Sequence, residues 1–200
     1  MPSDLVTQFL SSMVMDYDKW HDGVGYDLDL IDQMDEAEKA AIEEKLIRAG
    51  VSDWRDLEAL ERLNTNNALA TLLAARNSPD EQIRLYALRY GPKPADYERE
   101  EVILAGLNSA SSRSKAMDEA AKHPSPRIIT ALLRFARDGE GSDAYKAAAT
   151  LYYIHGKIDS PHSWKHRKFF LRFVDQAEDR KVVYEELCKK VRVDPSIIYE

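Results

Sequence analysis

Several absences narrow what this chain can be. Glycine is scarce, at 8 of 200 residues, and no P-loop, G-x-G-x-x-G or G-x-S-x-G motif occurs. Phosphate-cradling loops and nucleophile elbows therefore have no sequence basis. Cys188 is the single cysteine, so no intrachain disulfide can form and no oxidising compartment is required. Its helical neighbours Val183, Leu187 and Val191 mark it as a small core residue. No window approaches 18 apolar residues, and the N-terminal run Leu5–Val14 follows Asp4 where a signal peptide would carry positive charge. The expectation is a soluble, cytoplasmic protein with no membrane span. No β-branched alternating run appears, which leaves helices as the building material.

What is present is an ordinary globular composition, 44% apolar and 32% charged, with an uneven charge distribution. The net charge is −7; residues 1–64 hold 16 acids and 6 bases, and residues 65–200 hold 19 acids and 22 bases. An acidic front disfavours phosphate-rich partners and favours a basic protein.

Helical spacing recurs along the chain. Residues 4–15 read as a short amphipathic helix whose Leu5, Phe9 and Met13 dock on the body or pair two chains, leaving a homo-oligomer open. Residues 35–49 read as a helix capped by Asp35, with Ala41, Ile42, Leu46 and Ala49 inward. Ser52 caps the next, with Trp54, Leu57, Leu60 and Leu63 inward. Ala68–Gly91 reads as a helical hairpin: Leu69, Leu72, Leu73 and Arg76 mark the first stripe, Ser78-Pro79 starts the second helix, and Ile83, Ala87 and Tyr90 mark its inner face. Further helices follow over 96–107, around Met117–Ala121, over Ile128–Phe135, Ala144–Ile154, from Pro161 through Val174, and from Glu178 to Val191. Pro195 starts one more turn.

The run SPDEQIRLYALRYG at 78–91 resembles the second half of a HEAT-like repeat, with Pro79 and Asp80 in the turn, then Ile83, Arg84 and Ala87. A degenerate copy follows, in which Tyr145, Lys146 and Ala149 take the last three places and the turn proline is missing. The resemblance covers roughly residues 54–156, and residues 96–121 would supply an intermediate helix pair. It implies an all-α, irregular HEAT-like helical-repeat solenoid of about nine or ten helices, in one domain. Residues 1–50 would be an acidic extension, 51–192 the repeat body and 193–200 a tail.

Two stretches carry candidate function. DYDKWHDGVGYDLD at 16–29 packs five aspartates, Trp20, His21, Tyr26 and two glycines into a loop. Read as an EF-hand loop from Asp18, it places Trp20 where an oxygen ligand is required, so it fails as a calcium site. Trp20 and Tyr26 suit protein-interface anchors, with Asp18, Asp22 and Asp27 as a charged rim. Residues 157–192 hold ten bases and six acids with Trp164, Phe169 and Phe170 interleaved, a pattern that a nucleic-acid surface would have. His162 and His166 stand at i, i+4, but Lys165, Arg167 and Lys168 would repel a cation, so no metal is assigned. The pairs Glu43-Glu44, Glu100-Glu101 and Glu185-Glu186 read as solvated helix faces. The sequence thus favours a non-enzymatic protein-binding module without a cofactor. An immunity-type or adaptor role suits it, and a nucleic-acid-binding repeat protein is the alternative that the acidic whole disfavours.

Overall fold

The computed structural model describes residues 3–174 and 179–199. Among them are 13 α-helices, one closing 3-10 helix and no strand. The helices not expected from sequence are Tyr17–His21 and Asp29–Gln33, each five residues long and too short to show a period. The chain's contacts group into two compact units, Met1–Pro94 and Ala95–Glu200. The break falls at the Pro92-Lys93-Pro94 connector and not at Gly50, which lies inside the first unit.

The first unit holds α1 (Asp4–Ser12), α2 (Tyr17–His21), α3 (Asp29–Gln33), α4 (Glu36–Ala49), α5 (Trp54–Leu63), α6 (Asn66–Ala75) and α7 (Glu81–Ala87). Side-chain caps start most of them. Ser3 accepts from Val6 N–H, Asp35 forms a reciprocal box with Glu38, and Thr65 accepts from Ala68 N–H. Ser52 is not the cap of α5; Asp53 is, while Ser52 donates to Asp56. Nor is Ser78 the cap of α7; Asp80 accepts from Gln82 and Ile83 N–H, two residues later than Pro79 suggested.

Val6 and Phe9 of α1 join Ile31, Ile42, Leu46, Leu57, Leu60, Leu72 and Ile83 in one core. The N-terminal helix therefore spends its apolar face on its own unit. Two stripes differ from expectation. On α4, Ala41 and Ala49 are exposed, and Glu43 is buried instead. On α6 the inward residues are Ala68, Leu72 and Ala75, while Leu69 and Leu73 are 37% and 41% exposed. A helix apolar on every side gives no periodic signal to say which face turns in. Glu43 is no solvated carboxylate: it accepts from the Thr65 hydroxyl and, at 3.1 Å, from Ala68 N–H, so it helps cap α6.

The second unit holds α8 (Asp96–Asn108), α9 (Arg113–Lys122), α10 (Pro126–Asp138), α11 (Gly141–Ile154), α12 (Arg167–Leu171) and α13 (Arg180–Val191), then the 3-10 turn Pro195–Tyr199. Glu178, the expected start of the last helix, lies outside the described residues. Helix α11 packs against both α9 and α10. Its buried face is Ala144, Ala147, Ala148, Ala149 and Leu151, and such small residues let helix axes approach closely. No helix forms at Pro161–His166; that stretch is a series of turns before α12.

Candidate functional site

The 16–29 stretch is not a featureless loop. Asp16 accepts from Lys19 N–H at 2.8 Å and so caps α2, which puts Tyr17, Trp20 and His21 at i, i+3 and i+4. Their rings lie together, Tyr17 to Trp20 at 6.4 Å and Tyr17 to His21 at 5.8 Å, the latter stacked. Nothing in α2 is buried; Tyr17 is 73% and Trp20 63% exposed. Val14 and Val24, also exposed, are tied to the same turn. Lys19 Nζ donates to Val14 O at 3.2 Å, and Val24 N–H donates to Lys19 O at 2.9 Å. The result is an outward apolar patch, ringed by the exposed carboxylates of Asp16, Asp18 and Asp22.

This patch is held by bonds to α5. Arg55, 2% exposed, donates through Nε to Val24 O at 2.6 Å and is braced by Asp53 at 2.9 Å. Tyr26 donates to Asp56 Oδ1 at 2.9 Å, and its ring meets Phe9 edge-on at 6.1 Å. Asp27 N–H donates to Ser12 Oγ at 3.1 Å. Gly25 runs close to α5: a Cβ there would meet Glu58 Oε2 at 3.5 Å and the Trp54 ring at 3.6 Å. Burial, then the Asp56 and Asp53 charges, push the Tyr26 phenol above its ordinary range.

Of the five residues singled out in sequence, Asp18, Trp20 and Asp22 share this exposed turn. Tyr26 does not join them: it is half-buried and works as a strut. Asp27 is exposed but sits beyond Tyr26, where its carbonyl receives Leu30 N–H at 3.3 Å at the start of α3. Tyr17, Val14 and Val24 belong to the patch and were not singled out. The i, i+3, i+4 spacing of Tyr17, Trp20 and His21 was the available signal, masked by the two glycines that follow.

In the second unit the aromatics of 157–192 divide. Phe170 and Phe173 are buried, and Phe169 and Tyr152 pack on them with centroids 5.0–5.8 Å apart. Trp164 is 73% exposed. His162 and His166 share no helix. His162 lies 3.6 Å from Asp118, and His166 takes a left-handed φ of 67° before α12. Among the described residues no group of three or more His, Cys, Asp or Glu could hold a metal, and no helix is long and apolar enough to cross a membrane. Cys188 is fully buried, and burial raises its thiol pKa, which suits packing over reactivity.

No family model, curated protein or solved structure matches the chain.

Proposed function

We propose that the chain is a non-enzymatic protein-binding module, a HEAT-like helical scaffold that presents the α2 turn to a basic protein in an immunity-type or adaptor role. The observation that carries this reading is the exposed Tyr17–Trp20 pair beside the carboxylates of Asp18 and Asp22, on a turn braced from beneath by Arg55 and Tyr26. A monomer gains nothing from displaying two large aromatics in water, whereas an interface gains area at low entropic cost from rings already held in place. Charge sets the sign of the partner. The first unit carries 18 acids and 10 bases, and an acidic surface speeds encounter with a basic one and rejects an acidic one. The repeat reading rests on the 78–91 motif and on neighbouring helices packing in series, α5 with α6, α6 with α7, α8 with α9.

The test is capture of a partner on the immobilised full chain, followed by affinity measurement. Trp20→Ala should weaken binding by roughly 30-fold, as a buried aromatic anchor does. Asp18→Lys with Asp22→Lys should slow association and remove most of its salt dependence. Unchanged capture by both variants would reject the assignment.

A further inference from the structure

The run Trp164–Lys168 is exposed on the second unit and is basic where the α2 turn is acidic. Lys165, His166, Arg167 and Lys168 are all exposed, and none of Lys165, Arg167 and Lys168 makes an ion pair among the described residues. Two acids among the described residues of this unit are already engaged. Asp118 lies 2.8 Å from Lys146 Nζ, in ion-pair but not hydrogen-bond alignment, and Glu186 is held by Arg172 at 2.6 Å and Lys190 at 3.5 Å. The hydrogen bond from Arg172, with its charge and that of Lys190, keeps the Glu186 carboxyl below the usual range. Asp159 is the one exposed carboxylate earlier in the same segment with no ion pair.

The run is shaped by its backbone. Ser163 N–H donates to Ser160 O at 3.0 Å, Arg167 N–H to Trp164 O at 3.1 Å, and Phe169 N–H to His166 O at 2.8 Å. Beneath it Phe169, Phe170 and Tyr152 anchor α12 in the core, and the His166 ring rests 5.7 Å from Tyr152. Above it the Arg167 guanidinium stacks 4.2 Å from the Trp164 ring centre, which widens one flat cationic surface. Lys157, also exposed, is bonded through its N–H to Tyr152 O at 2.9 Å and so stands at the same end of α11.

We propose that the Trp164–Lys168 run binds single-stranded nucleic acid, with Trp164 stacking on a base and Lys165, Arg167 and Lys168 contacting phosphates. An exposed indole beside an arginine would also suit an acidic protein, which is therefore the competing occupant; three cations within four residues of one indole match the phosphates that flank a stackable base in an unpaired strand. The chain's net negative charge is no obstacle, because the second unit holds 18 bases against 17 acids and the excess acid lies in the first.

The test is fluorescence anisotropy of a labelled oligothymidylate of about 12 nucleotides with the full chain at about 50 mM salt. Binding should weaken with salt at a log–log slope near −2, about 0.7 for each of three phosphates. Lys165→Glu with Lys168→Glu should cost at least tenfold and flatten that slope. Trp164→Ala should cost roughly ten- to hundredfold, and Trp164→Phe should recover most of the loss. These side chains are exposed, so circular dichroism should be unchanged. Trp20→Ala should have no effect, which separates this site from the α2 patch. No binding at low salt, indifference to the Trp164 variants, or equal affinity for an oligoglutamate of the same charge would overturn the proposal, the last by pointing to an acidic protein.

Discussion

Tyr26→Phe removes one hydrogen bond and nothing else, so its cost can be worked from the structure. The phenol donates to Asp56 Oδ1 at 2.9 Å, whereas Asp56 Oδ2 accepts from Ser52 N–H, Ser52 Oγ–H and Asp53 N–H at 2.9–3.1 Å. Asp56 is only 5% exposed, so water reaches the abandoned oxygen poorly. A hydrogen bond to a charged acceptor contributes about 1.5–3 kcal/mol; with the tyrosine only partly buried, we expect about 1.5 kcal/mol. The ring's contact with Phe9 survives, so Tyr26→Ala should cost roughly 1 kcal/mol more. For a unit of this size 1.5 kcal/mol corresponds to a Tm lowered by roughly 6–12 °C. Thermal unfolding followed by Trp20 and Trp54 fluorescence, in a Trp164→Phe background, reads it. The pH dependence supplies a second check. The folded Tyr26 pKa lies above its ordinary value of 10.0, so its stabilisation is complete below pH 10 and is lost as pH rises toward the folded pKa. The gap between the parent and Tyr26→Phe should therefore narrow above pH 10. If Tyr26→Phe costs under about 0.3 kcal/mol, or as much as Tyr26→Ala, then the strut is not a hydrogen bond to a buried carboxylate.

Three other outcomes follow from the packing. Leu72→Ala should cost about 3 kcal/mol and Leu69→Ala under about 1 kcal/mol in denaturant titrations, because only Leu72 faces the core; equal costs would refute the assigned face of α6. Glu43→Ala removes the acceptor of the Thr65 hydroxyl and the second acceptor of Ala68 N–H, which keeps Thr65 Oγ1 at 3.1 Å, and should cost about 1–2 kcal/mol by the same measurement, whereas Glu44→Ala should be near neutral. His155 has its pKa lowered, by burial first and then by Lys157, so it stabilises the fold above pH 6.5 and that contribution is lost as pH falls through the lower, folded value. NMR titration should find His155 charging below pH 6.5, and His155→Gln should flatten the acid limb of the stability curve.

Much was legible from local chemistry alone. Asp35 marks the start of α4 because capping depends on residues within one turn. The all-helical class followed from 3.6-residue periodicity, and the burial of Cys188 from its neighbours at helical spacing. The α2 turn was visible as a cluster of aspartates and aromatics, and Trp20, Asp18 and Asp22 are together on its surface. Assigning Tyr26 to the same surface missed, because what removes it is Asp56, 30 residues away and itself unremarkable in sequence.

The sequence by itself determined that the chain is built of helices, where the longer ones lie, and that acidic charge gathers at the front. Only the tertiary structure decided which face of α4 and α6 turns inward, that Glu43 is buried as a cap, and that Trp164 stands out while Phe170 goes in. The reason is one of range. Caps and periodicity are settled between residues a few positions apart, and the chain writes them directly. Burial of one aromatic over another depends on which distant helix arrives to cover it, and Tyr152, Asp56 and Arg55 carry no mark of that role until the helices meet.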